Sequence, residues 1–242
     1  MTPASAESSD TRYEDLLRKR LPPVLSVIAG MVDVTGYLSL KLFTAHVTGN
    51  IVIIAAQLVY GGPPRMDQIL AVPVFIVAVA GVWIVAQALH RRGPALPRLL
   101  LLIQFFLLAL ALIVAVIYHP SADPSGMTAD VTAMIAVSAM ACQFSLLQLT
   151  MRRAPSTAVM TGNLTKTVLS FLETATERQP LLADAKRQLK STLQLVIGFF
   201  VGCLIGAGAV SRCGEWAWAF PVALAGVAVT LVPREHSAFN RT

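Results

Sequence analysis

Long apolar runs separated by short polar segments dominate the pattern of this chain. Four runs exceed about 18 residues with few or no charges, which is enough to cross roughly 30 Å of hydrocarbon. These runs are Ile69–His90, Leu99–Tyr118, Val131–Thr150 and Ser191–Val210. Two weaker runs, Leu21–Leu40 (interrupted by Asp33) and Trp216–Val232, are of similar length. The pattern predicts an all-α integral membrane protein, a polytopic bundle with six full spans.

Two shorter apolar segments, Ala45–Tyr60 and Ser156–Leu172, each contain the tripeptide Thr-Gly-Asn. The two copies are Thr48-Gly49-Asn50 and Thr161-Gly162-Asn163. Sixteen helical residues rise about 24 Å, which is less than the thickness of the hydrocarbon core. Thr and Asn are favourable N-caps, and Gly permits a sharp backbone turn. Each segment is therefore predicted to be kinked, or a re-entrant half-helix that starts inside the membrane.

The surroundings of the two tripeptides match in order. Upstream of each lies an apolar run with one polar residue in its middle, Asp33 in the first and Gln143 in the second. Downstream of each lies an apolar run with a central glycine, Gly81 and Gly202. Such self-similarity indicates an internal duplication. A duplicated membrane chain with a broken, polar element in each half is typical of transporters and channels.

These landmarks divide the chain into two membrane repeats and their flanking segments. The expected divisions are a cytoplasmic tail 1–20, repeat 1 at 21–118, a loop at 119–130, repeat 2 at 131–232 and a tail 233–242. Within the first tail we expect disorder at the start and a helix near Tyr13–Arg20. A charged loop is expected at Glu173–Lys190.

Charge supports the membrane interpretation and suggests a topology. The sequence is 55% hydrophobic and 13% charged, whereas about a quarter of a soluble protein is charged. If all eight apolar segments cross, seven Lys and Arg lie outside against 11 inside. If the Thr-Gly-Asn segments re-enter, 15 lie inside and three outside, with Lys166 in the membrane. The positive-inside rule favours the second arrangement, in which the repeats are inverted.

The net charge of +6 does not indicate nucleic-acid binding, because the basic residues flank apolar runs and form no stripe interleaved with aromatics. The three cysteines give no disulfide framework. Enzyme signatures such as H-E-x-x-H, G-x-S-x-G and C-x-x-C are absent from the sequence. We therefore expect no enzyme, no cofactor and no metal site, and the expected partners are the lipid bilayer and a small solute or ion.

Asp33 is the first candidate for a functional residue. Ser26, Gly30, Asp33 and Tyr37 follow at steps of four, three and four, so they share one helical face. An ionisable residue in mid-membrane is a functional hypothesis by default, for proton or ion coupling or for solute contact. The alternative is a carboxylate paired with Lys41, Tyr37 or a backbone donor that only stabilises the bundle.

The remaining candidates also admit a structural alternative. The Thr and Asn side chains of both tripeptides either line a route or satisfy backbone groups at a helix break. Gln143 either contacts solute or bonds across helices, and Lys166 either contacts an anion, pairs with Asp33 or extends to the interface. His46 adjoins the first tripeptide, but a lone histidine more often has a structural role. Gly198, Gly202 and Gly206 are expected to let two helices pack closely.

The motifs Gly30-Met-Val-Asp33, Phe43-Thr-Ala-His-Val-Thr48-Gly49-Asn50 and Met160-Thr161-Gly162-Asn163-Leu164 resemble the YoaK family. The resemblance covers roughly residues 21–232 and implies a small bacterial inner-membrane protein with about six membrane segments and no assigned activity. The family tends to have Gln-Asn in the second repeat, whereas Gln143 is followed here by Phe144.

Taken together, the sequence predicts a multi-pass inner-membrane protein with a cytoplasmic N-terminus that transports or conducts a small solute. Its route would pass a polar site near the midplane at the repeat interface, lined by Asp33, Asn50, Gln143, Asn163 and Lys166. The alternative is a non-transporting structural or regulatory protein that assembles, as a homo-oligomer or with partners, through the face of Gly198–Gly206.

Overall fold

The computed structural model describes residues 3–60, 65–90, 96–150, 156–157, 160–176 and 182–232. These residues form eight α-helices and two short 3-10 helices, Pro120–Ala122 and Gly214–Trp218, and they include no strand. The α-helices are α1 (Pro3–Leu40), α2 (Val47–Tyr60), α3 (Met66–His90), α4 (Leu96–Tyr118), α5 (Met127–Thr150), α6 (Met160–Ala175), α7 (Leu182–Cys213) and α8 (Ala219–Leu231). The prediction of an all-helical chain is confirmed.

Length and apolarity agree with a membrane helical bundle. Within the described residues, five helical stretches are long and apolar enough to cross a membrane, and the last of them combines α7 and α8. The 14 residues of α2 form a shorter apolar helix. The predicted apolar segments fall on the eight helices, but α8 has only 13 residues, so the number of full spans stays a prediction.

Two predicted boundaries differ from the structure. Helix α1 begins at Pro3 and continues into the first apolar run, with Pro22 and Pro23 inside it, so the helix expected only near Tyr13–Arg20 is longer. Helix α7 begins at Leu182, so much of the charged loop expected at Glu173–Lys190 is helical. Several predicted features lie outside the described residues. They are the Gly-Gly-Pro-Pro segment at 61–64, the basic segments at 91–95 and 151–155, and the tail 233–242.

Helices α1 and α7 form the closest helix pair of the bundle and run parallel. Glycines 198, 202 and 206 of α7 all face α1: a Cβ on Gly198 would lie 3.1 Å from the carbonyl oxygen of Pro23, and one on Gly202 would strike that of Val27. On α1, a Cβ on Gly30 would strike the carbonyl oxygen of Phe199. The two backbones are therefore in direct contact, as small residues allow in membrane bundles.

This contact corrects one expectation. The glycine face of α7 is buried against α1 of the same chain, and Ser26 Oγ donates a hydrogen bond of 2.6 Å to the Leu195 carbonyl across the pair. The surface that the sequence offered for assembly with other molecules is therefore already covered. An outward docking role for Gly198–Gly206 is contradicted.

The remaining helices surround this pair. Helix α1 also contacts α8, while α5 packs on α3 and α4, and α4 on α8. The two short helices lie against different neighbours, α2 on α3 and α6 on α7. The two short helices are not principal neighbours of each other.

Arg65 joins three parts of the chain at one end of the bundle. Its guanidinium donates to both carboxylate oxygens of Asp67, at 3.2 and 2.8 Å, to the Leu40 carbonyl at 2.8 Å, and to the Pro124 carbonyl. Asp67 is fully buried. The end of α1, the start of α3 and the segment between α4 and α5 therefore lie together.

The turn between α7 and α8 belongs to the same end. The backbone N–H of Ser121 donates a 2.9 Å hydrogen bond to Glu215, which lies in that turn. From there α8 runs back along α4, because a Cβ on Gly226 would lie 3.4 Å from the Phe105 ring in the middle of α4.

Candidate functional site

The site is built at the break between α1 and α2. Helix α1 ends at Leu40, and Lys41 adopts a left-handed conformation with φ of 59°. Its backbone N–H bonds to the Tyr37 carbonyl at 3.0 Å, which caps the helix as glycine commonly does. The chain then turns back along α1, where Thr44 Oγ1 donates to the Val32 carbonyl at 3.1 Å.

Asn50 holds this returning segment in place. Its side-chain amide donates to the Phe43 carbonyl at 2.8 Å and accepts from the Phe43 N–H at 3.0 Å. Asn50 is completely buried, and it is the fourth residue of α2. The segment around Phe43 has no regular secondary structure, and the Asn50 amide bonds to both backbone polar groups of that residue. Such hydrogen bonding is required because backbone polar groups in a membrane have no water to bond to. Thr48 is exposed beside Asn50.

Asp33 binds the same segment from the opposite side. One carboxylate oxygen accepts the backbone N–H groups of Ala45 and His46, at 2.9 and 3.3 Å. The other lies 2.7 Å from Nδ1 of the His46 ring. Asp33 is only 5% exposed. Its partner is thus His46 rather than Lys41, whose ammonium group donates to the Leu38 carbonyl at 3.2 Å.

A cavity of about 400 Å³ borders this pair. Aromatic rings form much of its wall: Tyr37 stacks on Phe43 with centroids 4.8 Å apart, and Phe199 meets the His46 ring edge-on at 5.1 Å. The full lining is Asp33, Val34, Tyr37, Phe43, His46, Gly49, Phe199 and Cys203. A Cβ on Gly49 would lie 3.0 Å from the Phe43 ring, so glycine lets this ring lie close to the start of α2.

The second Thr-Gly-Asn copy repeats the asparagine contact. Asn163 is the fourth residue of α6, and its amide donates to the Ser156 carbonyl at 2.7 Å. The acceptor lies seven residues upstream, as Phe43 lies seven residues before Asn50. Further along α6, Thr167 Oγ1 donates to Thr192 Oγ1 of α7 at 2.9 Å.

The other predicted residues lie apart from the cavity. Thr161 and Lys166 are exposed on α6, and Gly162 is half-buried between them. Gln143 is buried where α1, α4 and α5 meet: it donates to the Leu25 carbonyl at 2.9 Å and accepts from Gln104 at 2.8 Å. The structure therefore brings Asp33, Gly49 and His46 together at one cavity, with Asn50 behind it, and leaves the second-repeat residues elsewhere.

Sequence reasoning gave little weight to His46 and none to Gln104 or Arg65. A signal for His46 was present, since it adjoins the first Thr-Gly-Asn copy while the second copy has Val159 at the same place. Among the described residues, no group of three His, Cys, Asp or Glu side chains is placed to hold a metal ion.

Comparison with known proteins places the chain in a family without giving it an activity. No curated protein and no solved structure matches the sequence. Residues 21–231 match a family described as "Protein of unknown function (DUF1275)". Because that match extends over nearly all of the helical bundle, the chain belongs to the DUF1275 family.

Proposed function

We propose that this protein carries a small solute or ion across a membrane, and that the cavity beside Asp33 and His46 is where the solute binds. The observation that carries the proposal is a carboxylate buried among apolar helices, at a helix break and on the wall of a cavity. Intramembrane carboxylates are expensive, and they are typically found on solute and proton pathways. Transporters commonly place such sites at interrupted helices.

The course of α2 supports a re-entrant segment. Helix α2 starts level with Asp33, seven residues and about 10 Å from the end of α1. If the 14 residues of α2 ran away from the end of α1 at Leu40, the last of them would lie about 31 Å from Leu40. Yet Arg65, only five residues after Tyr60, bonds to Leu40, and five residues reach at most about 18 Å. A helix that returns to the side from which it entered satisfies this limit.

The pairing of helices supports two inverted repeats. If α1 corresponds to α5, α2 to α6, α3 to α7 and α4 to α8, the contact of α1 with α7 corresponds to that of α5 with α3. The contacts α2–α3 and α4–α5 likewise correspond to α6–α7 and α8–α1. Because α1 ends and α5 begins at the Arg65 end of the bundle, the two repeats would lie in opposite orientations.

This topology is tested with cysteines at opposite ends of the bundle. Cys213 is exposed at the end of α7, and in a variant with Cys142 and Cys203 replaced by Ala it is the single thiol. A second variant also replaces Cys213 and carries Ala95→Cys. With a cytoplasmic N-terminus, an impermeant maleimide should label Cys213 on intact bacterial cells and label position 95 only after the cells are opened. Labelling of both from outside would contradict the six-span topology and the re-entrant α2.

Transport itself is tested with Asp33→Asn in proteoliposomes. Asn keeps an oxygen for the two backbone N–H donors but removes the charge, so the fold should survive while solute flux falls at least tenfold. The matched control is Glu173→Gln, which removes an exposed carboxylate on α6 and should leave flux unchanged. Flux is measured as counterflow over a panel of radiolabelled amines, amino acids, sugars and inorganic ions. Equal flux in wild type and Asp33→Asn, or flux no greater than in empty liposomes, would contradict the proposal.

A further inference from the structure

In the part of the chain that the structure describes, the charge of Asp33 is not balanced by a fixed positive charge. Its partners are two backbone N–H groups and the His46 ring. Among the described residues, the cationic groups near this end of the bundle are used elsewhere, Lys41 on the Leu38 carbonyl and Arg65 on Asp67. A carboxylate left without a counter-charge in apolar surroundings is strongly disfavoured. The balancing positive charge must therefore come from a group that can arrive and leave.

A proton on His46 is one such charge. A histidine that donates Nδ1–H to a carboxylate has its Nε2 free to take up a proton, and the resulting imidazolium–carboxylate pair is neutral overall. The other titratable groups that line the cavity are Tyr37 on α1 and Cys203 on α7, and both are neutral in their protonated forms. His46 is therefore the group placed to hold a proton beside Asp33.

The wall of the cavity fits a second kind of positive charge. Tyr37, Phe43 and Phe199 present aromatic rings beside the carboxylate, and aromatic faces attract alkylammonium groups. The rest of the lining is almost entirely apolar, which suits a weakly hydrated organic cation better than a metal ion that needs several oxygen ligands. About 400 Å³ lies in the range of small-molecule pockets.

We infer that the cavity binds a small organic ammonium ion, and that binding expels the proton from His46. The inference rests on the proposed function and names its substrate class. The proton leaves Nε2 for water as the ammonium ion takes its place beside Asp33, so the charge of the site is the same before and after. Holding both would leave one surplus positive charge in the membrane, and the two cations therefore exchange.

The test uses the purified protein in neutral detergent with choline and methylammonium as probes. Binding is followed by titration calorimetry, and proton release by a pH indicator in weakly buffered solution. The neutral control is 3,3-dimethylbutan-1-ol, which has the shape of choline without its charge. We expect at least one of the two cations to bind at least tenfold more tightly than the alcohol. Up to one proton should be released per cation bound, and none should be released when the alcohol is added.

Variants assign the two roles. Asp33→Asn should abolish cation binding, and His46→Gln should retain binding but release no proton, while Glu173→Gln should behave as wild type. Binding of neither probe, equal binding of the alcohol, or proton release that persists in His46→Gln would overturn the inference. If the proteoliposome panel shows Asp33-dependent flux of an uncharged solute while neither cation binds, the substrate class is wrong and the transport proposal stands.

Discussion

The two Thr-Gly-Asn regions share one asparagine contact and differ in the side chains beside it. In both, the asparagine is the fourth residue of a short helix and its amide bonds to the backbone seven residues upstream. Among the described residues, the first copy has an acidic residue and a histidine beside the motif, with a cavity at their side. In both copies the motif itself stabilises the helix break. The residues around the first copy are the ones that we propose bind the solute.

The same contrast extends to the residues that correspond by position. Asp33 and Gln143 each lie seven residues before the end of their helices. Asp33 faces the returning segment before α2, whereas Gln143 bonds to α1 and α4. The mid-helix polar residue of α1 thus bonds at the helix break, whereas that of α5 bonds to neighbouring helices of the bundle.

The largest difference in the free energy of unfolding is expected between substitutions of the two central glycines, Gly202 and Gly81. A methyl group on Gly202 would strike the Val27 carbonyl, whereas one on Gly81 meets nothing within 4 Å. Gly202→Ala should lower the free energy of unfolding by about 3 kcal/mol, because α1 and α7 must separate. Gly81→Ala should change it by less than about 1 kcal/mol and in the stabilising direction. Unfolding by SDS in mixed micelles measures both, and equal losses would contradict the packing described for α7.

The two asparagines should be costly to remove in both repeats. Asn50→Ala leaves the N–H and C=O of Phe43 without their partner, and we expect a loss of about 2 kcal/mol. Asn163→Ala should cost about 1–2 kcal/mol through the Ser156 carbonyl. The same denaturation assay measures both. A large loss at Asn50 with none at Asn163 would mean that the two breaks are not built alike.

Variants of Gln143 test whether this residue, which corresponds to Asp33 by position, has only a structural role. Gln143→Leu leaves the buried Gln104 amide without its acceptor and should cost about 1–2 kcal/mol. The double variant Gln104→Leu/Gln143→Leu should recover at least half of that loss, since both polar partners are then gone. Cation binding should be unchanged in the double variant. A loss of binding there would show that the second-repeat glutamine belongs to the site.

The smallest effect is expected from the threonine pair of the second repeat. Thr167→Val removes the hydrogen bond to Thr192 and keeps nearly the same shape. Thr192 Oγ1 also donates to the Gln188 carbonyl, so no group is left without a partner, and the loss should be about 0.5–1 kcal/mol. Thermal unfolding in detergent measures it. A drop in solute flux with Thr167→Val would place part of the route in the second repeat.

Helix ends in this chain were predictable where local signals exist. The predicted ends of the apolar runs at Leu40, Tyr60, His90, Tyr118 and Thr150 are the last residues of α1 to α5, because charged or breaking residues follow each run. The early start of α7 was missed, since the charged residues before Ser191 read as a loop although nothing in them breaks a helix.

The partners of the polar residues could not be predicted, because they come from distant parts of the chain. Gln104 lies 39 residues from Gln143, and Arg65 lies 59 residues from Pro124. The spacing correctly placed Ser26, Gly30 and Asp33 on one face of α1 that is buried. Tyr37, the fourth residue predicted on that face, is 41% exposed. The spacing could not reveal that α7 covers the first two and that the returning segment covers the third.

The parallel contact of α1 with α7 also sets an order for biogenesis. Ser26 and its acceptor Leu195 are 169 residues apart, so α1 can meet its main partner only after all of that intervening chain has been synthesised. At 5–20 residues per second the interval is roughly 10–30 s. Throughout that time the carbonyl-lined groove of α1 around Gly30 faces lipid or the insertion machinery. A chain arrested before α7 would retain this uncovered groove.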